Sequence, residues 1–155
     1  MTSSSIPVAR NRRITAIGIV GFAAALAAAS QVALPVPGTP VPVTLQPLAV
    51  VLAGLWLGPV AGAASMVLYL AAGALGLPVF APMGPPGVVR LFGPTGGYLW
   101  AYPVAAWIAG TIGARLPGFW GRALASAAGI AMLHVGGVLQ LAALTGSVGR
   151  AVTLG

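Results

Sequence analysis

Acidic residues and cysteine are absent from this 155-residue sequence, which also contains a single histidine, His134. Without cysteine the chain can form neither a disulfide nor a thiolate metal site. Without Asp or Glu, His134 has no carboxylate partner for holding a metal, and general acid–base chemistry loses most of its usual groups. The sequence therefore predicts no enzyme, no metal site and no cofactor.

Charge of any kind is scarce. Only 5% of the residues are charged, against about 25% in an average soluble protein, whereas 59% are hydrophobic. The mean hydropathy is +1.02. Residues 14–89, 91–114 and 123–149 contain no charged side chain, and one membrane span needs only about 20 apolar residues. We expect an integral membrane protein that crosses the lipid bilayer several times.

The net charge of +7 comes entirely from arginines. A strongly basic chain could bind nucleic acid, but such proteins cluster their basic residues on one polar face. Here the arginines lie between apolar segments, which excludes nucleic acid as the expected partner and assigns the arginines to the ends of membrane spans.

Proline and glycine divide the chain into separate helical segments. The predicted fold is an all-α, polytopic membrane helix bundle. A cytoplasmic disordered tail is expected over residues 1–13, followed by a single transmembrane domain over 14–155. Two irregular loops are predicted, the first over 35–43 and the second over 78–93, because both are rich in Pro and Gly. A signal peptide, with a basic start, an apolar middle and small residues at 27–29 before Ser30, is the alternative for the first segment. Five helices are predicted, over about 14–34, 45–57, 60–77, 94–112 and 123–144.

The arginines also predict an orientation. With a cytoplasmic N-terminus, five arginines lie inside (10, 12, 13, 115 and 122) and two outside (90 and 150), in agreement with the positive-inside rule. Both irregular loops then lie at the outer face of the cell membrane. The last eight residues, Val148–Gly155, are too few to cross the bilayer.

Three segments resemble a known family. PVPVTLQ (residues 40–46), GLPVF (76–80) and LFGPTGGY (91–98) are similar, in order and spacing, to signature segments of the BioY family. That family supplies the biotin-binding S component of energy-coupling-factor (ECF) vitamin transporters. The resemblance implies a six-helix bundle that captures biotin outside and delivers it with a transmembrane coupling subunit and ATPase subunits. This chain has no phosphate-binding loop of its own.

Members of the family usually continue beyond the position of Thr153 with a final helix that carries Gly-Asp and a nearby Lys. We therefore expect five visible spans of six. The alternative function is a C-terminally truncated membrane protein with a structural role or no activity. A membrane enzyme with a Ser or Tyr nucleophile is a third hypothesis, which the scarcity of acids, bases and metal ligands disfavours.

The outer start of the fourth helix is one candidate binding corner for biotin. Gly96 and Gly97 would let a ligand approach exposed helix amides, and Arg90 lies just before them in sequence, so this corner could bind a polar end of biotin, without indicating which end. A turn or close helix packing is the alternative role for the glycines, and a solvated loop charge is the alternative for Arg90.

Further candidate binding residues are polar or aromatic side chains near the same face. Thr44 and Gln46 follow the first loop, where capping could also explain Thr44. Gln140 lies in an apolar helix, where its carboxamide could meet the ureido group or bond a neighbouring helix. Tyr98 could stack on the thioether ring, and Phe80 could close over the ligand or pack the bundle.

Small residues on the first helix recur every four positions at Gly21, Ala25 and Ala29. Such a face permits close helix approach. The resemblance implies that it contacts the coupling subunit, and packing within the bundle is the alternative.

Overall fold

A computed structural model describes residues 12–155, and over that range the chain is almost entirely helical. The all-α fold class predicted from the sequence is confirmed. The first and second loops carry the remaining regular structure, two-residue strands β1 (Ala33–Leu34) and β2 (Val43–Thr44) and a 3₁₀ helix (Gly87–Phe92). The helices are α1 (Arg12–Gln31), α2 (Gln46–Leu57), α3 (Pro59–Ala74), α4 (Gly96–Arg115), α5 (Phe119–Thr145) and α6 (Val148–Leu154).

A tight reversal joins α2 to α3. Gly58 has a φ of 83°, a left-handed conformation that L side chains rarely adopt, and Pro59 begins the next helix. Gly54 lies on the inward face of α2, so close to α4 that a Cβ there would overlap the carbonyl oxygen of Ala106. The sequence therefore brings α2, α3 and α4 together at this end through missing side chains.

The central helix is α4, which packs against α2, α3 and α5. Its approach to α5 again depends on glycine, because a Cβ at Gly97 would overlap the carbonyl oxygen of Gly136. The core between the helices holds large side chains that are almost fully buried, among them Leu26, Val50, Met66, Tyr69 and Leu133.

Several predicted boundaries are wrong. The first helix ends at Gln31 instead of Leu34, because Ala33 and Leu34 pair as an antiparallel strand with Thr44 and Val43. The third ends at Ala74, since the chain turns through Gly76 with a φ of 96°. Arg12 and Arg13, assigned to the disordered tail, are helical; the rest of the predicted tail lies outside the described residues.

Helical structure also appears where none was predicted. The second loop contains the 3₁₀ helix because Gly87–Phe92 has no internal proline, although prolines surround it. The last helix of the predicted five begins at Phe119, four residues early, since Gly118 reverses the chain with a φ of 94°. Ser147 caps the short α6 by accepting a hydrogen bond from the Arg150 amide at 3.4 Å.

Large apolar side chains cover the outside of the bundle. Ile17 is 72% exposed, Val60 76% and Leu139 66%, and such surfaces mark contact with a partner or a membrane. Within the described chain, α1 and α5 are long and apolar enough to cross a bilayer, whereas α2 and α3 are shorter apolar helices of 12 and 16 residues.

Candidate functional site

A cavity of about 480 Å³ opens at the end of the bundle where both loops lie. The first loop and the start of α2 form one wall, and α4 and α5 form another. Residues of the second loop and the end of α6 complete the lining. Its volume lies within the range of about 300–1,000 Å³ that small-molecule sites occupy.

Arg90, on the 3₁₀ helix, brings a buried cation to the cavity. The residue is only 4% exposed, and its guanidinium donates a hydrogen bond to the backbone carbonyl of Met83. Burial lowers the pKa of the guanidinium from its ordinary value, while the nearby phenols of Tyr69 and Tyr102 act in the opposite direction. Because the sequence contains no Asp or Glu, no side-chain carboxylate of this chain can neutralise Arg90.

Gln46 and Thr44 form a fixed polar pair at the start of α2. The Thr44 hydroxyl donates to the side-chain oxygen Oε1 of Gln46 at 3.2 Å and accepts from the backbone N–H of Gln46 at 3.3 Å. Gln46 Nε2 donates to the hydroxyl of Tyr69, on α3, at 2.8 Å. The carboxamide is therefore held at both of its ends.

Phe80 is anchored at the cavity by the end of α1. Ser30 donates to the Val79 carbonyl at 2.6 Å, and Gln31 donates to the Phe80 carbonyl at 3.2 Å. The ring of Phe80 lies over Gly73 and meets Tyr69 edge-on, with ring centroids 5.4 Å apart. Phe80 consequently lines the cavity and also packs the bundle, and its closing over a ligand stays a prediction.

Tyr98, on α4, and His134, on α5, both line the cavity and contact each other edge to face, with ring centroids 6.0 Å apart. The Tyr98 hydroxyl donates to the Gly155 carbonyl at 2.9 Å. In the first loop, the Thr39 hydroxyl donates to the carbonyl of Leu154. Through these two bonds the end of α6 is tied both to α4 and to the first loop.

The structure brings together five of the eight residues proposed for substrate binding and separates the other three. Gly97 and Gln140 line a different, open groove between α4 and α5. Gln140 donates to the carbonyls of Leu91 at 3.1 Å and Gly93 at 2.7 Å, so it holds the second loop. Gly96 lies against the Leu91 carbonyl oxygen, and the backbone N–H of Gly96 donates to the Gly93 carbonyl at 2.9 Å. The five that line the cavity are Thr44, Gln46, Phe80, Arg90 and Tyr98.

Sequence reasoning missed three residues of this region. Neither Tyr102 nor His134 was proposed for substrate binding, but both line the cavity. Tyr102 lies one helical turn after Tyr98, a spacing that puts both on one face and could have revealed it. Tyr69, 1% exposed beneath the cavity, has no comparable signal in the sequence.

The small-residue face of α1 is turned away from the core. A Cβ at Gly21 would meet nothing within 4 Å, and Ala25 is exposed, whereas Ala23, Leu26 and Ser30 are buried. Ala29 is half-buried. Packing within the described part of the chain therefore does not explain why these positions carry small residues. The contact of this face with a coupling subunit stays a prediction.

Comparisons with known proteins agree with this architecture. The probable biotin transporter BioY of Pyrococcus horikoshii is 43% identical over 107 residues, which cover 69% of this chain and 62% of that protein. The biotin transporter BioY of Thermotoga maritima is 31% identical over 144 residues, 93% of this chain and 82% of that protein. The chain thus spans less than two thirds of the Pyrococcus relative's length but most of the Thermotoga relative's length.

A solved structure shares the fold. The crystal structure of the S-component for biotin from an ECF-type ABC transporter superposes with a TM-score of 0.83 at 23% identity, covering 93% of this chain and 80% of the other. The sequence profile of the BioY family matches residues 3–155. With the two long apolar helices, α1 and α5, these matches establish that the chain is a membrane protein and a member of the BioY family.

Proposed function

We propose that this chain captures biotin at the outer face of the cell membrane as the substrate-binding subunit of an ECF-type transporter. Its role is to bind and deliver, without catalysis. A transmembrane coupling subunit and ATPase subunits supply the energy, and the outward face of α1 at Gly21, Ala25 and Ala29 is the proposed contact with the coupling subunit. The relatives' names support the substrate, and the cavity supports the binding mode.

The observation that carries the proposal is the buried charge of Arg90. A buried guanidinium is costly unless an anion accompanies it, and the chain contains no acidic side chain. Arg90 is 4% exposed and lines the cavity, where an anionic ligand would supply the countercharge. Biotin carries one carboxylate, which suits the planar donors of arginine.

The rest of the cavity matches the uncharged parts of biotin. Thr44 and Gln46 offer hydrogen-bonding groups for the ureido ring, and both line the same cavity as Arg90. Phe80 and Tyr98, together with Leu99 and Leu133, offer apolar and aromatic surface for the thioether ring and the aliphatic chain.

Biotin binding to the purified chain in detergent tests the proposal, with biotinamide, which lacks the charge, as the comparison ligand. We expect the chain to bind biotin about a hundredfold more tightly than biotinamide, in line with about 1.5–3 kcal/mol for a hydrogen bond to a charged group. Arg90→Gln should abolish that preference, because the cation is gone. Arg150→Gln, an exposed arginine outside the cavity, is the matched control.

A folded wild-type chain that binds no biotin would contradict the proposal and support the structural role. Equal binding of biotin and biotinamide by the wild type would contradict the role of Arg90 alone.

The proposed orientation places the N-terminus in the cytoplasm and the cavity outside, in a multi-pass arrangement. Because the chain has no cysteine, single cysteines report sidedness without background. Val88→Cys, in the second loop, should react with a membrane-impermeant maleimide in intact cells, whereas Leu116→Cys, between α4 and α5, should react only after lysis. Both positions are exposed, at 51% and 46%, so the opposite pattern would overturn the orientation.

A further inference from the structure

Tyr69 lies beneath the cavity without lining it. Its side chain is 1% exposed, yet it contacts three residues that do line the cavity. It accepts a hydrogen bond from Gln46, meets Phe80 edge-on, and lies with its ring centroid 6.3 Å from that of Tyr102. A residue in this position can act on a ligand only through its neighbours.

Two hydroxyl groups hold the Gln46 carboxamide in one orientation. Its Nε2 donates to the Tyr69 oxygen at 2.8 Å, and its Oε1 accepts from the Thr44 hydroxyl at 3.2 Å. The amide nitrogen of Gln46 is thus directed at α3, and its Oε1 lies on the side of Thr44, which lines the cavity. A carbonyl oxygen accepts two hydrogen bonds, so Oε1 keeps one acceptor position beyond its bond from Thr44.

From this geometry we propose that Tyr69 is a positioning residue: it holds Gln46 so that the cavity is offered an acceptor instead of a donor, which selects ligands that bring N–H donors. The inference rests on the proposed function, in which the ureido group of biotin supplies those N–H groups. Rotation of a carboxamide by 180° exchanges its oxygen and nitrogen and leaves its shape nearly unchanged, so donor and acceptor change places. Tyr69 holds the orientation in which Nε2 is bonded on the α3 side and Oε1 lies on the side of Thr44.

Selectivity for the ureido N–H groups tests this inference. The probes are biotin and its two mono-N-methyl ureido derivatives, and the measured quantity is the ratio of their dissociation constants for the purified chain. We expect the wild type to prefer biotin by about tenfold or more over at least one derivative, the size of one well-placed hydrogen bond. Tyr69→Phe keeps the ring contacts and removes only the hydroxyl, and should reduce that ratio to about two.

A merely structural role for Tyr69 would weaken the binding of all three ligands alike and leave the ratios unchanged, which would overturn the inference. Unchanged ratios in a variant that still binds biotin contradict only the role of Tyr69. If the wild type binds biotin without preferring it over either derivative, the acceptor role of Gln46 is also wrong. Absence of biotin binding by the wild type contradicts the proposed function as well.

Discussion

The two halves of the bundle are built on opposite principles. The reversal half, around Gly58, holds α2, α3 and α4 together through backbone contacts at Gly54, Gly62 and Gly110. The cavity half, around Gln46, separates the same helices with large side chains such as Tyr69 and Tyr102 and leaves about 480 Å³ open. Residue size along three shared helices thus decides where the bundle is closed and where it can hold a ligand.

Polarity follows the same division. Among residues 12–155, the cavity half contains three of the four buried polar or charged residues, Ser30, Gln46 and Arg90, whereas the reversal half contains Ser65. Every buried polar side-chain atom of the described residues has a hydrogen-bond partner, so the cavity half keeps its polar groups at little cost in unsatisfied donors or acceptors. Substitutions at the close backbone contacts should therefore affect mainly stability, and substitutions of the polar side chains that line the cavity should affect mainly binding.

The largest effect is expected at Gly54. In Gly54→Ala the new methyl group would overlap the Ala106 carbonyl oxygen, and neither backbone can move without separating α2 from α4. We expect a loss of about 3 kcal/mol in the free energy of unfolding, measured by thermal or denaturant unfolding in detergent. Gly21→Ala is the control, because a methyl group there meets nothing within 4 Å.

The fraction of Gly54→Ala that stays folded should bind biotin like the wild type. A variant of normal stability with weakened binding would show that the two halves are not separate in the way proposed.

The sequence was most informative where backbone chemistry decides the structure. Pro59 and Gly118 mark the two tight reversals, and the prolines of the two loops exclude long helices there, so the existence of the helices was predictable. Gly96 and Gly97 show the limit, because a glycine at a helix start serves a ligand or a neighbouring backbone equally well. Which of the two is realised depends on Gly136 and Leu91, whose positions follow from the tertiary structure.

A smaller effect is expected where the first loop meets α6. The Thr39 hydroxyl donates to the Leu154 carbonyl and also accepts from the Val41 amide at 3.1 Å. Thr39→Val keeps the shape of the side chain and removes both bonds. At about 1 kcal/mol for the lost contact, we expect biotin to dissociate about fivefold faster, measured by chasing bound radiolabelled biotin with unlabelled ligand.

The control for Thr39→Val is Thr111→Val, which removes a hydroxyl that bonds only the Trp107 carbonyl of its own helix. An unchanged dissociation rate in Thr39→Val would mean that the bond to α6 does not retain the ligand.

The smallest effect on binding is expected at Gln140, and it is informative beside Gln46. Both carboxamides donate through Nε2, but Gln46 lines the cavity and Gln140 holds the backbone of the second loop. Gln140→Leu should lower the free energy of unfolding by about 1 kcal/mol and leave the biotin dissociation constant within about twofold. The loop keeps another anchor, because Trp100 Nε1 still donates to the Leu91 carbonyl at 3.0 Å.

Gln46→Leu should behave in the opposite way, with an approximately tenfold loss of biotin affinity that follows from one lost hydrogen bond to the ligand. Equilibrium binding and thermal unfolding of the two variants, measured side by side, distinguish a residue that contacts the ligand from one that shapes its surroundings. If Gln140→Leu loses as much affinity as Gln46→Leu, then the open groove between α4 and α5 takes part in binding, and the division between loop anchor and cavity wall has to be abandoned.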